Sequence, residues 1–295
     1  MTTRPASADG LPLPRLQECT VLDLSLTLAE DLPCHWPAHQ PYQHKLWSWF
    51  ATRRNGAQTV YNRSGAPYST RWMAIDEHTG THFDAPSHFV PPPDSGLPHA
   101  GPAGEVTAEQ VPVSQLMGPA AVVDLTAPAT FDADGRNEGG VSPFITADHL
   151  IAWERRHGSL AAGEVVLLRT GWDARYRRGP EGDGYLYDVI VTGRAPGWPA
   201  PDVAAVELLL ERGVRCVGTD APSMGAAHDG VPAHVRGLSA GAVYVECLTG
   251  LDRLPARGAW FCFLPLKVEG GTGAPGRAVA FVPAPSEDPA HPSHI

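Results

Sequence analysis

Residues 76–89 read DEHTGTHFDAPSHF, with three histidines and three carboxylates in fourteen positions, interrupted by a glycine and a proline. Parity decides how this stretch folds. His78, Gly80, His82, Asp84, Pro86 and His88 are all even, so extended backbone turns them to one face, with Thr79, Thr81, Phe83, Ala85 and Ser87 on the other. A helix would pair His78 with His82 but swing Asp84 away, and Gly80 and Pro86 both disfavour it. A straight strand would hold His78 and His82 ~13 Å apart at ~3.3 Å per residue, too far to share an ion bound at ~2 Å. Gly80, midway, can adopt φ > 0 and bend the chain. His82 and Asp84 then converge, while His88, beyond Pro86, sits beside the cluster where a general acid/base belongs.

Two histidines and an aspartate make half a ligand shell, so further ligands are expected downstream. In residues 226–248, AAHDGVPAHVRGLSAGAVYVECL, the candidates are His228, His234 and Glu246. Glu246 interrupts an apolar run, where an unpaired buried carboxylate is costly and metal ligation would compensate. The bland alternatives are a solvent-facing Glu246 on an edge strand, or an ion pair with Arg236 or Arg253. His234 follows Pro232 at the start of a short helix. His228, in a Gly/Ala-rich loop, is either a pocket-lining residue or plain surface.

Composition bounds the rest. The 295 residues are 43% hydrophobic and 18% charged, enough for a sizeable core. Gly 31 and Pro 30 are scattered rather than repetitive, which implies many turns and irregular loops. A formal charge of −10 without a Lys/Arg cluster argues against nucleic acid. The start lacks the apolar core of a secretory signal, and no stretch reaches the ~18 apolar residues of a membrane span. Five cysteines without CxxC spacing suit free thiols in a reducing cytoplasm. A cytoplasmic location is therefore expected.

Residues 1–15 read as a loose arm and 283–295 as a flexible tail, flanking one catalytic domain over 16–282. Strands are expected at 21–25, 120–125, 164–170, 214–220, 242–248 and 259–268, the last closing the regular elements, with a β-rich region around 57–75. Helices are expected at 146–157, capped by Thr146 and stopped by Gly158, at 202–213, and near 234–240. The fold class is α/β, one domain with a mixed sheet and flanking helices.

With those residues in view, the chain resembles the metal-dependent cyclase/hydrolase family that includes bacterial kynurenine formamidases and isatin hydrolases. The pattern HxGTHxDxPxH is met without gaps by His78-Thr79-Gly80-Thr81-His82-Phe83-Asp84-Ala85-Pro86-Ser87-His88. Similarity extends to VLDLSLTL…WP (21–37), GTDAPS (218–223), PAH (232–234), VECLTGLDRLP (245–255) and PLKVEGGTGAPGRA (265–278), the last favouring the isatin-hydrolase-type branch. The resemblance implies a swivelling β/β/α-type domain assembled as a homodimer or homotetramer. It implies metal ligation by His78, His82 and Asp84, with His88 as acid/base. His234 and Glu246 match positions that complete a second metal site bridged by Asp84, and Trp36 matches a substrate contact.

Residues and resemblance point to one chemistry. A divalent metal, Zn or Mn, one ion or two, gives a water nucleophile at neutral pH for attack on an amide such as isatin or N-formylkynurenine. A cyclase or a lactone hydrolase in a natural-product or aromatic-degradation pathway is the alternative. Trp36, Trp47, Trp49, Phe50, Trp72 and Phe83 fall before or within the motif. They are candidates for core or for a pocket holding a flat small-molecule substrate. Trp36, Phe83 and His228 are taken as the substrate-binding set. Gly237-Leu238-Ser239-Ala240-Gly241 spells a nucleophile elbow, but a helix precedes and a strand follows, the reverse of what an elbow needs. A purely structural zinc would be closed and Cys-rich, unlike this cluster.

Overall fold

The structure is a computed structural model that describes residues 16–50, 52–55, 58–61, 68–127 and 139–284. Strand β1 (Cys19–Asp23) is followed by β2 (Gln43–Ser48), β3 (Thr52–Asn55), β4 (Gln58–Tyr61), β5 (Thr70–Ala74) and the short β6 (His82–Asp84). Then come β7 (Met117–Asp124), β8 (Phe144–Ile145), helix α1 (Ala147–His157), β9 (Val165–Arg169), α2 (Tyr187–Ile190), β10 (Ala200–Pro201) and α3 (Val203–Glu211). The chain finishes with β11 (Cys216–Thr219), α4 (Val231–Ser239), β12 (Val243–Glu246), β13 (Trp260–Pro265) and β14 (Gly273–Pro283). The expected arm at 1–15 lies outside the described residues, as do 285–295 of the expected tail.

The local signals account for the helices. Thr146 caps α1 through a capping box with His149, and Gly158 ends it at φ 86. Asp202 caps α3 by accepting the Ala205 N–H at 2.7 Å. Gly241, at φ 76, terminates the turn after α4, so the GxSxG lies on a helix that leads into a strand.

Strand β14 corrects the expectation that regular structure ends at 268. Its residues 276–281 pair antiparallel with β13. Along the other edge, 273–275 pair with β6 and 279–283 with β1. From β13 the sheet continues through β7, β9, β11 and β12 to β6, which returns to β14. The mixed sheet is therefore closed like a barrel, the β7–β9–β11–β12 run being parallel and the remaining pairs antiparallel. Gly273, Ala274, Pro275 and Gly276 have poor strand propensity, and it is pairing along both edges that holds them extended. Pro283 pairs with Cys19, so the tail begins later than expected.

Alternation sorts the strands between two cores. Val122, Leu167, Val245, Phe83 and Phe263 fill the inside of the sheet. Val123, Val166, Leu168, Val217 and Tyr244 face outward, against Leu150, Trp153, Leu209 and Leu238 of the flanking helices. A third cluster around Trp172, Tyr185 and Trp198 supports the loops beside the site.

Candidate metal centre

Because Phe83 points inward, its neighbours His82 and Asp84 point outward, to the face that α4 covers. In the register of β6 and β12, His82 lies opposite Glu246 and Asp84 opposite Tyr244. The His82 and Glu246 side chains meet with Nε2 3.5 Å from Oε2, and His82 Nε2 is also 3.5 Å from Asp84 Oδ1. From α4, His234 brings Nε2 to 3.3 Å from Glu246 Oε1 and 3.5 Å from Asp84 Oδ2. His78 approaches from the turn before β6, its Nδ1 2.9 Å from Asp84 Oδ1. His88 ends a 3-10 turn that starts at Pro86, and its ring stacks on His78 at 3.9 Å between centroids.

The hinge expected at Gly80 is present. Its φ is 61, its N–H donates to the Cys34 carbonyl at 2.6 Å, and a Cβ there would lie 2.3 Å from Leu28 Cδ2. The two threonines flanking Gly80 tie the bend down. Thr79 Oγ1 accepts the Asp76 N–H, and Thr81 Oγ1 donates to the Cys247 carbonyl at 2.6 Å while accepting the Leu26 N–H.

Hydrogen bonds fix which imidazole nitrogens face inward. His82 Nδ1 lies 2.7 Å from the Gly80 carbonyl and His234 Nδ1 2.7 Å from the Gly230 carbonyl. A carbonyl only accepts, so both rings carry Nδ1–H and turn Nε2 toward the carboxylates. Asp84 is fully buried, and its Oδ2 has no hydrogen-bond donor. Glu246 accepts the Met224 N–H at 2.6 Å. The arginines weighed as partners for Glu246 are engaged elsewhere, Arg236 with Glu207 and Arg253 with the Asp23 carbonyl.

These groups polarise one another strongly. Burial opposes ionisation of Asp84, yet the imidazoles of His88, His234, His78 and His82 hold its carboxyl well below the usual range. For Glu246, burial and the Asp84 charge are outweighed by His234 and His82, and its carboxyl is also lowered. Burial acts against protonating His82 and His234, but the two carboxylates push His82 well up and His234 to about 10. Burial dominates at His88 and brings it down to about 4. Two buried carboxylates, one with an orphaned oxygen, ringed by imidazole nitrogens, form the donor set that a divalent cation would satisfy. Among the described residues, two groups have the reach to hold an ion, His78–Asp84–His88 and His82–Asp84–Glu246, with Asp84 common to both. Sequence reading paired His78 with His82 and left His88 free, whereas the structure sets His82 against Glu246 and places His88 within ligand reach.

A cavity of about 210 Å³ opens onto the cluster, lined among others by Cys34, His35, Trp36, His39, Phe89 and Leu186. Trp36 lines this cavity, packed edge-on against Trp198. Phe83 is not: it is fully buried against Phe263 inside the sheet, because its odd position turns it away from His82 and Asp84. Nor does His228 line the cavity. Its Nδ1 accepts the Ser142 N–H at 3.1 Å and its ring sits against Phe144. Sequence reading missed His39, held at 3.1 Å by Asp76, along with Phe89 and Leu186. Only the nearness in sequence of His39 to Trp36 and of Phe89 to His88 could have flagged those two, and nothing local marks Leu186.

Comparison with known proteins identifies relatives that match most of the chain. A family model described as "Putative cyclase" matches residues 22–226. An isatin hydrolase of Roseibium aggregatum is 35% identical over 228 residues, 76% of this chain and 78% of that one. A kynurenine formamidase of Salinibacter ruber is 32% identical over 247 residues, 83% of this chain and 89% of that one. The crystal structure of an isatin hydrolase bound to the product analogue thioisatinate superposes with TM-score 0.71 at 29% identity, covering 91% of this chain and 94% of that one.

Proposed function

The chain belongs to the cyclase family, and from that premise we propose that it is a metal-dependent hydrolase acting on a non-peptide C–N bond. The substrate in this reading is a small amide, an aryl formamide or a cyclic amide such as isatin or N-formylkynurenine. The observation that carries it is the gathering of His78, His82, His234 and Glu246 around the buried Asp84, beside a cavity that also holds His88. When bound there, a divalent cation supplies Lewis acidity and lowers the pKa of water from ~15.7 towards ~7. Histidine and carboxylate donors suit Zn and Mn alike, and the sharing of Asp84 between two groups favours two ions.

The chain's own residues do the rest. Trp36, Phe89 and Leu186 offer an apolar wall to a flat substrate, and the cavity lies below the ~300–1,000 Å³ of sites for drug-sized ligands. His88, kept neutral by burial, is placed to take a proton from the nucleophile and deliver it to the leaving nitrogen. The swivelling β/β/α architecture, a homodimer or homotetramer, and a cytoplasmic setting suited to free thiols belong to the same reading. Among the described residues no helix is long and apolar enough to cross a membrane.

The test is elemental analysis of the purified protein, then ring-opening or deformylation assays by absorbance on isatin, N-formylkynurenine and simple lactones, with and without chelator. Chelator-sensitive turnover of an amide supports the proposal. Turnover that survives removal of all divalent metal overturns it.

A further inference from the structure

The glycine-rich segment 269–273, EGGTG, has no part in the chemistry above, yet the pairing of Gly273 with Asp84 carries it against the cluster. Thr272 N–H and Oγ1 each lie 2.8 Å from Glu77 Oε2, and the same Oγ1 lies 3.2 Å from His78 Nε2. A carboxylate only accepts, so the Thr272 hydroxyl proton goes to Glu77 and its oxygen is left to accept from His78. His78 therefore carries a proton on Nε2, and Nδ1, which donates to Asp84 Oδ1 at 2.9 Å, is the nitrogen whose proton a cation would displace.

His82 and His234 are set the opposite way, each by a backbone carbonyl two or four residues earlier in the chain. Of these three, His78 alone has its tautomer chosen by side chains. The glycines make room for the arrangement. A Cβ at Gly273 would lie 2.6 Å from His78 Cε1 and 2.5 Å from the Phe83 carbonyl, and one at Gly271 would lie 3.0 Å from Glu77 Oε1.

We propose that Glu77 and Thr272 are positioning residues that select the Nε2–H tautomer of His78 and so present Nδ1 to the cation, an inference that rests on the metal-site reading above. Neither residue touches the substrate in this scheme. They act by fixing a ligand before the ion arrives, as outer partners of metal-binding histidines do.

The experiment compares the full-length protein with Thr272→Val, which keeps the shape and the N–H bond to Glu77, and with Thr272→Ser, which keeps the hydroxyl. Affinity for Zn²⁺ and Mn²⁺ is measured by competition with a chromogenic chelator, and thermal melting of the metal-free forms reports folding. Thr272→Val should bind about 10–100-fold more weakly with unchanged metal-free melting, and Thr272→Ser should bind like the parent. Equal affinity in Thr272→Val, or a loss in Thr272→Ser as large as in Thr272→Val, overturns the clamp while leaving the metal site standing. A parent protein that takes up neither ion overturns both.

Discussion

His82 and Glu246 are cross-strand partners on β6 and β12, and their side chains meet above the outer face of the sheet with Nε2 3.5 Å from Oε2. The site's rigidity is therefore borrowed from strand pairing. Glu246→Gln keeps the shape and an acceptor for the Met224 N–H but removes the charge. Its cation affinity should fall further than the ~10–100-fold typical of losing an outer partner. The parent should also lose melting temperature on chelation, since a cation at 100 times its Kd stabilises by ~2.7 kcal/mol, and Glu246→Gln should respond far less. Titration with chelator during thermal melts checks both.

His88 stacks on His78, so its removal separates proton transfer from ion binding less cleanly than the sequence suggests. His88→Gln should keep at least one equivalent of metal and lose ~10²–10⁴ in kcat. Metal content and kcat are to be measured on the same preparation. A variant with full metal and unchanged kcat would remove His88 from the chemistry.

Gly80→Ala places a methyl 2.3 Å from Leu28 Cδ2 at a backbone φ of 61. The left-handed conformation alone costs ~1–2 kcal/mol for a residue with a Cβ, and the clash adds to it. Denaturant titration should show a stability loss above ~2 kcal/mol together with reduced metal content, because the bend carries His78 and His82.

Phe83 distinguishes core from pocket. Phe83→Ala should cost ~3–5 kcal/mol by opening a cavity against Phe263. The conservative Phe83→Leu should be destabilised without a change in KM. A large KM effect with unaltered stability would return Phe83 to the substrate site.

The Arg212 pair with Glu154 gives a pH signature away from the site. Arg212 Nε and an Nη lie 2.9 and 3.0 Å from the two carboxylate oxygens, and the pairing lowers the Glu154 carboxyl. A carboxyl lowered on folding contributes stability above its unfolded value of ~4.3, and that contribution is lost as pH falls through the lower folded value. Glu154→Gln should be less stable at neutral pH by on the order of 1 kcal/mol, the gap closing below pH ~4. Melting curves across pH 3–7, as a range of about four units spanning that transition, would show it, and parallel curves for both proteins would contradict it.

Several features were legible in the residues alone because they depend on local backbone chemistry. Even parity of His82 and Asp84, a bend that only glycine makes easily, a threonine cap at 146 and a glycine stop at 158 each need no more than a few neighbours. The GTHxD segment therefore determined its own bend and the common face of its ligands, and the apolar runs at 164–170 and 242–248 determined strands. Tertiary structure alone decided the rest. Strand β14 exists because partners on both sides hold Gly273–Pro283 extended against its own propensity. Which imidazole faces which carboxylate follows from the register of β6 against β12, some 160 residues later in the chain. Likewise, Thr272 reaches His78 across 194 positions, through a contact that no local pattern encodes. Local sterics are written within a turn or a pleat, whereas the partners of a buried polar group are chosen by which distant segments the closed sheet brings together.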